Sequence, residues 1–160
     1  MLLAFAASSA SLPVSAASAT SLAESGDHEI IEVENQNCTF RVISTARGEH
    51  EYWSAYPPSG DEALYAAMAR HTPGRVALDI GGWIGPTALF LACFADHVVV
   101  VEPVREAWGQ LLLNLQLTPQ FESRVTLARS ALGATFDVQH FSTTGSSMDK
   151  PLRFHGERLR

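Results

Sequence analysis

The chain has 160 residues, with 11 basic and 17 acidic side chains and a formal net charge of −6. Its hydrophobic fraction of 46% and charged fraction of 18% are typical of a folded globular protein and exclude a disordered chain. The acidic balance and the scattered arginines predict no nucleic-acid partner, because a basic stripe is missing. No apolar run approaches the ~20 residues that span a bilayer, so we predict no transmembrane segment.

The first 26 residues differ in composition from the rest of the chain. They contain eight Ala and seven Ser, and no Lys or Arg precedes Arg41. We interpret residues 1–26 as a low-complexity leader or a signal-like segment, with Ser15-Ala16-Ala17 or Ala17-Ser18-Ala19 as the small-x-small cleavage site. A cytoplasmic location and the secretory pathway both stay open. Asn37-Cys38-Thr39 fits the N-glycosylation pattern and is interpreted as a chance match.

The two cysteines, Cys38 and Cys93, are too few for a disulfide scaffold. They have no Cys-x-x-Cys or Cys/His spacing of the kind that binds zinc. We therefore predict two free thiols in the core and no metal site.

Strand and helix signals precede the middle of the chain. Apolar and β-branched residues over 29–33 and alternation over 38–42 predict a hairpin or two short strands. Ser59-Gly60-Asp61-Glu62 has the form of a capping box, and a helix is expected from about Gly60 to His71. Between these elements, Tyr52, Trp53 and Tyr56 are predicted to pack against a sheet, with the border of a substrate pocket as the alternative.

From residue 76 the pattern alternates between strand and helix. Val76–Ile80 is an apolar run broken only by Asp79, which predicts a strand buried on both faces of a parallel sheet. The whole pattern is βαβαβ, an α/β fold with right-handed crossovers. The remaining elements are a helix from Pro86 to about Ala95, a strand Val98–Val101, a helix from about Arg105 to Gln116, a strand Val125–Ala128 and a possible short strand Phe136–Phe141.

A glycine-rich turn follows the first strand of this unit. Asp79-Ile80-Gly81-Gly82-Trp83-Ile84-Gly85 joins the strand to its helix, where glycines allow a ligand to approach the backbone and the helix N-terminus offers free N–H groups. Glu102 ends the second strand, 21 residues beyond Gly81, the separation at which a carboxylate accepts ribose hydroxyls. We predict a nucleoside pocket at the carboxyl ends of these two strands.

The glycine spacing selects among cofactors. The dinucleotide fingerprint would require Gly at positions 79 and 84, where this chain has Asp79 and Ile84. A carboxylate is awkward beside a pyrophosphate but suits an ammonium group. S-adenosyl-L-methionine carries an ammonium group, a ribose and no phosphate. The spacing therefore favours this cofactor over NAD.

These motifs resemble those of the FkbM-type S-adenosylmethionine-dependent methyltransferases over about residues 76–147. The resemblance implies the Rossmann-like class I methyltransferase sheet and an enzyme that methylates hydroxyl groups of sugars or natural products. It further implies that Asp79, Gly81, Gly82 and Gly85 surround the methionine part of the cofactor, Glu102 holds the ribose and Pro103 shapes the adenine wall. No catalytic residue is indicated. The motifs that carry the resemblance are Asp79–Gly85, Val101-Glu102-Pro103, Asn114, Ala131-Leu132-Gly133 and Gly145-Ser146-Ser147.

The class I sheet needs further strands that we do not find after Gly145-Ser146-Ser147, and the last thirteen residues contain no strand-like apolar run. We therefore expect a sheet truncated after its third strand, with the first strand as an exposed edge and the chain an incomplete copy of a methyltransferase. The predicted divisions are the leader 1–26, N-terminal strands and helix 27–75, a partial methyltransferase domain 76–150 and a tail 151–160. A non-catalytic fragment or interaction protein and an NAD-dependent reductase stay open as alternatives.

Overall fold

The computed structural model describes residues 28–44, 47–131, 140–142 and 153–155. Several sequence-based expectations lie outside these residues. They are the leader 1–26, most of the possible strand Phe136–Phe141, the pair Leu132-Gly133 and the motif Gly145-Ser146-Ser147. Within the described residues, no helix is both long and apolar enough to cross a membrane.

A β-hairpin opens the described part of the chain and confirms the first predicted element. Strands β1 (Glu29–Asn35) and β2 (Cys38–Ser44) pair antiparallel, with Asn35 opposite Cys38. Gln36 and Asn37 form the two-residue turn, and both have positive φ, 52° and 63°. This left-handed pair matches the twist of the flanking strands, which is why such turns favour residues like asparagine.

Two helices follow the hairpin, and one of them was not predicted. Helix α1 (Arg47–Ser54) carries two members of the aromatic group, and helix α2 (Glu62–His71) begins two residues later than expected. The predicted capping box is wrong. Asp61 is the N-cap and makes no side-chain cap, while the Glu62 carboxylate accepts the N–H of Gly60 at 3.0 Å.

A three-stranded parallel sheet confirms the predicted α/β class and the βαβαβ order. The strands β3 (Val76–Ile80), β4 (His97–Val101) and β5 (Val125–Ala128) lie in that order, so β3 is an edge of this sheet. Gly85, at φ 105°, is the N-cap of the first crossover helix, and Pro86 occupies the helix start that suits it. The elements are β3 (Val76–Ile80), α3 (Pro86–Phe94), β4 (His97–Val101), α4 (Arg105–Gln116), a 3₁₀ turn (Pro119–Arg124) and β5 (Val125–Ala128).

Strand β3 is not buried on both faces as predicted. Val76, Leu78 and Ile80 alternate along one face and are 69%, 52% and 60% exposed. Asp79, on the opposite face, is buried. An apolar run indicates a strand, but whether each face of that strand is buried depends on what packs against it. The expected exposed edge at β3 is present among the described residues.

One apolar cluster joins the hairpin, the helices and the parallel sheet. Phe40 and Val42 of the hairpin, Leu89 of α3, Val100 of β4 and Leu111 of α4 all belong to it and are buried. The core therefore lies on the face of the sheet that α3 and α4 cover.

The cysteines and the end of the chain require two corrections. Cys38 and Cys93 form a disulfide, so they are not free thiols as predicted. Their sulfurs come together because β2 packs on α3, a contact that their sequence separation of 55 residues does not reveal. The last residues also contain a short strand, against expectation, since β7 (Arg153–His155) pairs antiparallel with β6 (His140–Ser142). Backbone pairing does not require an apolar run in so short a segment.

Candidate cofactor-binding site

The predicted site residues come together at the carboxyl ends of β3 and β4. Asp79 lies near the end of β3, and the glycine turn Gly81–Gly85 leads from that strand into α3. Glu102 and Pro103 follow β4 directly. The N–H of Gly81 donates to the carbonyl of Val101 at 2.8 Å, which ties the two strand ends together. This is the edge of a parallel sheet at which α/β proteins bind nucleosides.

The glycines of the turn serve two different purposes. A Cβ on Gly82 would lie 2.3 Å from Val100 Cγ1, and a Cβ on Gly85 would lie 2.6 Å from Leu111 Cδ1, so both positions allow close packing of the turn on the core. At Gly81, with φ 82°, a Cβ would meet nothing within 4 Å. Gly81 is therefore the position where backbone faces open space, as close approach of a ligand requires.

Glu102 holds the glycine turn in place. Its side chain is 5% exposed, and its two carboxylate oxygens accept backbone N–H groups. Oε2 accepts from Trp83 at 2.9 Å and Oε1 from Val104 at 2.7 Å. Each carboxylate oxygen has a second lone pair, so this arrangement leaves acceptor capacity for hydroxyl groups.

Asp79 is a buried carboxyl with an unused oxygen. The residue is 9% exposed, and its Oδ2 atom has no hydrogen-bond partner. Burial, and secondly the negative charge of Glu102, raise the pKa of Asp79 from 3.8 to about 6. A buried acceptor without a donor costs folding free energy, so the site gains stability from any cation or donor that reaches Oδ2.

Aromatic side chains line the turn beside these carboxyls. The rings of Tyr52 and Trp83 meet edge to face with centroids 4.9 Å apart, and Tyr52 also contacts Trp53. The hydroxyl of Tyr56 donates to the carbonyl of Pro86 at 3.0 Å. The sheet on which this aromatic group packs is the hairpin and not the parallel sheet, since the rings of Trp53 and Tyr56 contact that of Phe40 in β2. Because Trp83 belongs to the glycine turn, the group also lies next to the candidate site.

Asn114 is a structural residue of the site whose function the sequence did not reveal. It is fully buried in α4, its Oδ1 accepts the N–H of Ile43, and its Nδ2 donates to the carbonyl of Ile84, each at 2.8 Å. It thereby links the hairpin to the glycine turn. The signal was an amide on the buried face of an otherwise apolar helix, where unpaired polar groups are costly.

Comparisons with known proteins give no family assignment, since no protein-family model and no curated protein match the chain. Similar solved structures include a T. Thermophilus 16S rRNA N2 methyltransferase (RsmC) in complex with AdoMet and guanosine, with a TM-score of 0.48 and 17% identity over 64% of this chain and 28% of that chain. M. jannaschii TYW2 in complex with AdoMet has a TM-score of 0.42 and 18% identity over 61% of this chain and 42% of that chain. The complex of aTrm5 with tRNALeu has a TM-score of 0.45 and 14% identity over 63% of this chain and 28% of that chain. The chain thus spans less than half the length of each.

The predicted absence of a nucleic-acid partner needs correction. One of these similar structures is of a protein named as a 16S rRNA methyltransferase, and another is a complex of a protein with tRNALeu. The expectation was wrong because a net charge of −6 is an average over all faces of the chain. Binding depends on the local potential at one face, so the average does not exclude a class of partner.

Proposed function

We propose that this chain binds S-adenosyl-L-methionine at the carboxyl ends of β3 and β4 and is a methyltransferase, with the described residues forming the cofactor half of the site. The observation that carries the proposal is the unpartnered Oδ2 of Asp79, which is buried next to Gly82 in a turn whose preceding glycine, Gly81, faces open space. The ammonium group of the methionine part satisfies this oxygen, and its positive charge offsets the cost of ionising a buried carboxyl.

The two acidic residues have separate functions in this proposal. Asp79 binds the ammonium group, and Glu102 keeps the turn closed while its free lone pairs accept the ribose hydroxyls. Gly81 leaves its backbone open to the methionine part, Gly82 and Gly85 pack the turn on the core and so keep its shape, and Pro103 borders the adenine. None of these six residues is basic, which suits a ligand without phosphate.

An NAD-dependent reductase is the second candidate function. It would use the same strand ends and the same Glu102. The buried carboxyl of Asp79 disfavours it, because a pyrophosphate placed at the glycine turn would meet negative charge there instead of N–H groups alone.

For the reaction, we propose O-methylation of a hydroxyl group on a sugar or a natural product, following the FkbM-type motifs. The bound cofactor supplies a methyl group already activated on a sulfonium. The protein's contribution is then alignment of the acceptor oxygen and removal of its proton. Tyr52 and Trp83, which contact each other at the glycine turn, are the residues that we propose to border the acceptor, and no base is assigned.

We also propose that the described sheet, with three parallel strands and an uncovered face on β3, binds the cofactor weakly and transfers methyl groups inefficiently. The walls that would close the site on the far side of β3 are not formed by the described residues. A partly open site immobilises its ligand with fewer contacts and so gains less affinity.

Calorimetric titration of the full chain with S-adenosylhomocysteine tests the proposal. We expect saturable binding that is weaker than micromolar, and about tenfold weaker still for Asp79→Asn, the loss of one charged hydrogen bond. Asp61→Asn, on the exposed start of α2, is the matched control and should bind like the wild type. NADH should not compete.

The outcomes separate the parts of the proposal. Absence of any binding at millimolar ligand, or equal affinity of the wild type and Asp79→Asn, would contradict the cofactor assignment. Micromolar binding by the wild type would contradict only the proposal that this site binds the cofactor weakly. Competition by NADH would favour the reductase.

A further inference from the structure

The tip of the hairpin presents the only N-x-[ST] sequence of the chain. Asn37 is the second turn residue between β1 and β2, and Cys38 and Thr39 begin β2. The other two asparagines, Asn35 and Asn114, are not followed by Ser or Thr two positions later. A surface turn is the location in which this tripeptide is accessible to modification.

The side chains of the tripeptide alternate between solvent and core. Asn37 and Thr39 are exposed, whereas Cys38 is buried at 1% exposure. The acceptor amide and the required hydroxyl therefore both face solvent, on either side of a residue that fixes the turn to the core. A bulky polar group on Asn37 would displace no packed side chain.

The middle residue of the tripeptide provides a second, independent observation. Cys38 is bonded to Cys93 of α3, with the Cα atoms 5.7 Å apart. Disulfides persist in oxidising compartments, such as the lumen of the endoplasmic reticulum and the cell exterior, and are rare where thiols are kept reduced. N-glycans are attached in the first of these compartments, the lumen of the endoplasmic reticulum, so the disulfide and the tripeptide point to the same route of maturation.

We propose that Asn37 is an N-glycosylation site and that the protein matures in an oxidising secretory compartment. This replaces the interpretation of the tripeptide as a chance match. The low-complexity leader with its small-x-small Ser15-Ala16-Ala17 is the segment that would direct the chain there. The proposal does not depend on the proposed cofactor, because Asn37 is not one of the site residues.

The modification requires a glycosyl donor of the polyprenyl-diphosphate class. Nδ2 of Asn37 attacks the anomeric carbon of the oligosaccharide and forms a C–N bond, while the bond between that carbon and the diphosphate oxygen breaks. The polyprenyl diphosphate leaves with the electron pair, and Nδ2 loses one proton. No oxidant or reductant takes part in this transfer.

Expression of the full chain, with its own residues 1–26, in a eukaryotic cell line tests the proposal. Treatment of the purified protein with an amidase that releases N-glycans should reduce its apparent mass by one discrete step and convert Asn37 to Asp, which peptide mass spectrometry detects. Asn37→Gln and Thr39→Ala should both lose the step. Thr39→Ser, which keeps the hydroxyl, should retain it.

The two loss variants protect the test from a folding artefact. Asn37→Gln changes a residue with positive φ, whereas Thr39→Ala leaves the turn untouched. A wild-type chain that carries no glycan, from cells or from medium, overturns the proposal. A mass step that persists in Thr39→Ala also overturns it.

Discussion

The carboxylate of Glu102 accepts the backbone N–H of Trp83 at 2.9 Å, across the gap between the end of β4 and the turn that follows β3. Trp83 has a positive φ of 47°, which residues other than glycine rarely adopt. The charged hydrogen bond thus helps to hold a strained residue at the centre of the candidate site.

Glu102→Gln should destabilise the protein. An amide has one oxygen, so either Trp83 or Val104 loses its acceptor and faces an NH₂ group in a buried environment. We expect a loss of about 1–3 kcal/mol in the free energy of unfolding, measured by urea titration. Glu106→Gln, on the exposed start of α4, is the control and should change stability little. Equal stability of Glu102→Gln and Glu106→Gln would contradict the proposed function of Glu102 in the turn.

Alanine at three glycines should have three different effects. Gly82→Ala places a Cβ against the stiff, buried Val100 and should cost about 1–3 kcal/mol through overpacking. Gly81→Ala meets no atom but must keep φ at 82°, a strain of about 1 kcal/mol or more. Gly109→Ala, in the interior of α4 with free space around it, should stabilise by about 0.5–1 kcal/mol. Thermal unfolding of the three variants gives the order, and a destabilised Gly109→Ala would refute the helix argument.

Asp79 should make stability fall as the pH rises. Its pKa is about 6 in the folded protein and 3.8 ordinarily, so between these values the folded state binds more protons than the unfolded state. The group therefore contributes its full stabilisation below about pH 4 and loses about 3 kcal/mol of it as the pH rises through about 6. Urea unfolding over this range should show the decline in the wild type and a flatter profile in Asp79→Asn. Parallel profiles would show that another group titrates.

The disulfide should contribute substantially to stability. Cys38–Cys93 joins β2 to α3 across 55 residues of sequence, which restricts the unfolded chain. We expect the double variant Cys38→Ala/Cys93→Ala to lose about 2–5 kcal/mol. A reductant should lower the Tm of the wild type and leave that of the double variant unchanged. A wild-type Tm insensitive to reductant, with free thiols detected by alkylation, would contradict the bond.

The repeating unit of strand and helix was predictable because local signals define it. Helix α4 has the predicted bounds Arg105–Gln116, since its apolar spacing is regular and Thr118-Pro119 ends it. The meeting of Asp79, Gly81 and Glu102 followed from the topology, because parallel strands bring their carboxyl ends to one edge. These predictions needed no knowledge of distant contacts.

The features that the sequence did not reveal depend on contacts between distant segments. Helix α1 has charged residues and a glycine in place of a regular apolar spacing, so its stability comes from packing of Trp53 and Tyr52. The partner of Cys38 depends on how the hairpin lies on α3. The exposed face of β3 depends on the absence of a covering element among the described residues, which an apolar run cannot show.

The hairpin and the parallel sheet share one core, so removal of either would destabilise the other. Phe40 and Val42 of the hairpin, and Leu89 and Leu111 of the helices that cover the parallel sheet, fill the same interior and are nearly free of solvent contact. A shortened version that begins at residue 76 would keep every glycine and carboxyl of the candidate site. It would also expose the back of the helices that support them, and it would lose the backbone N–H of Ile43 that positions Asn114. Studies of ligand binding by this chain therefore require the hairpin, although no residue of the hairpin is expected to contact the ligand.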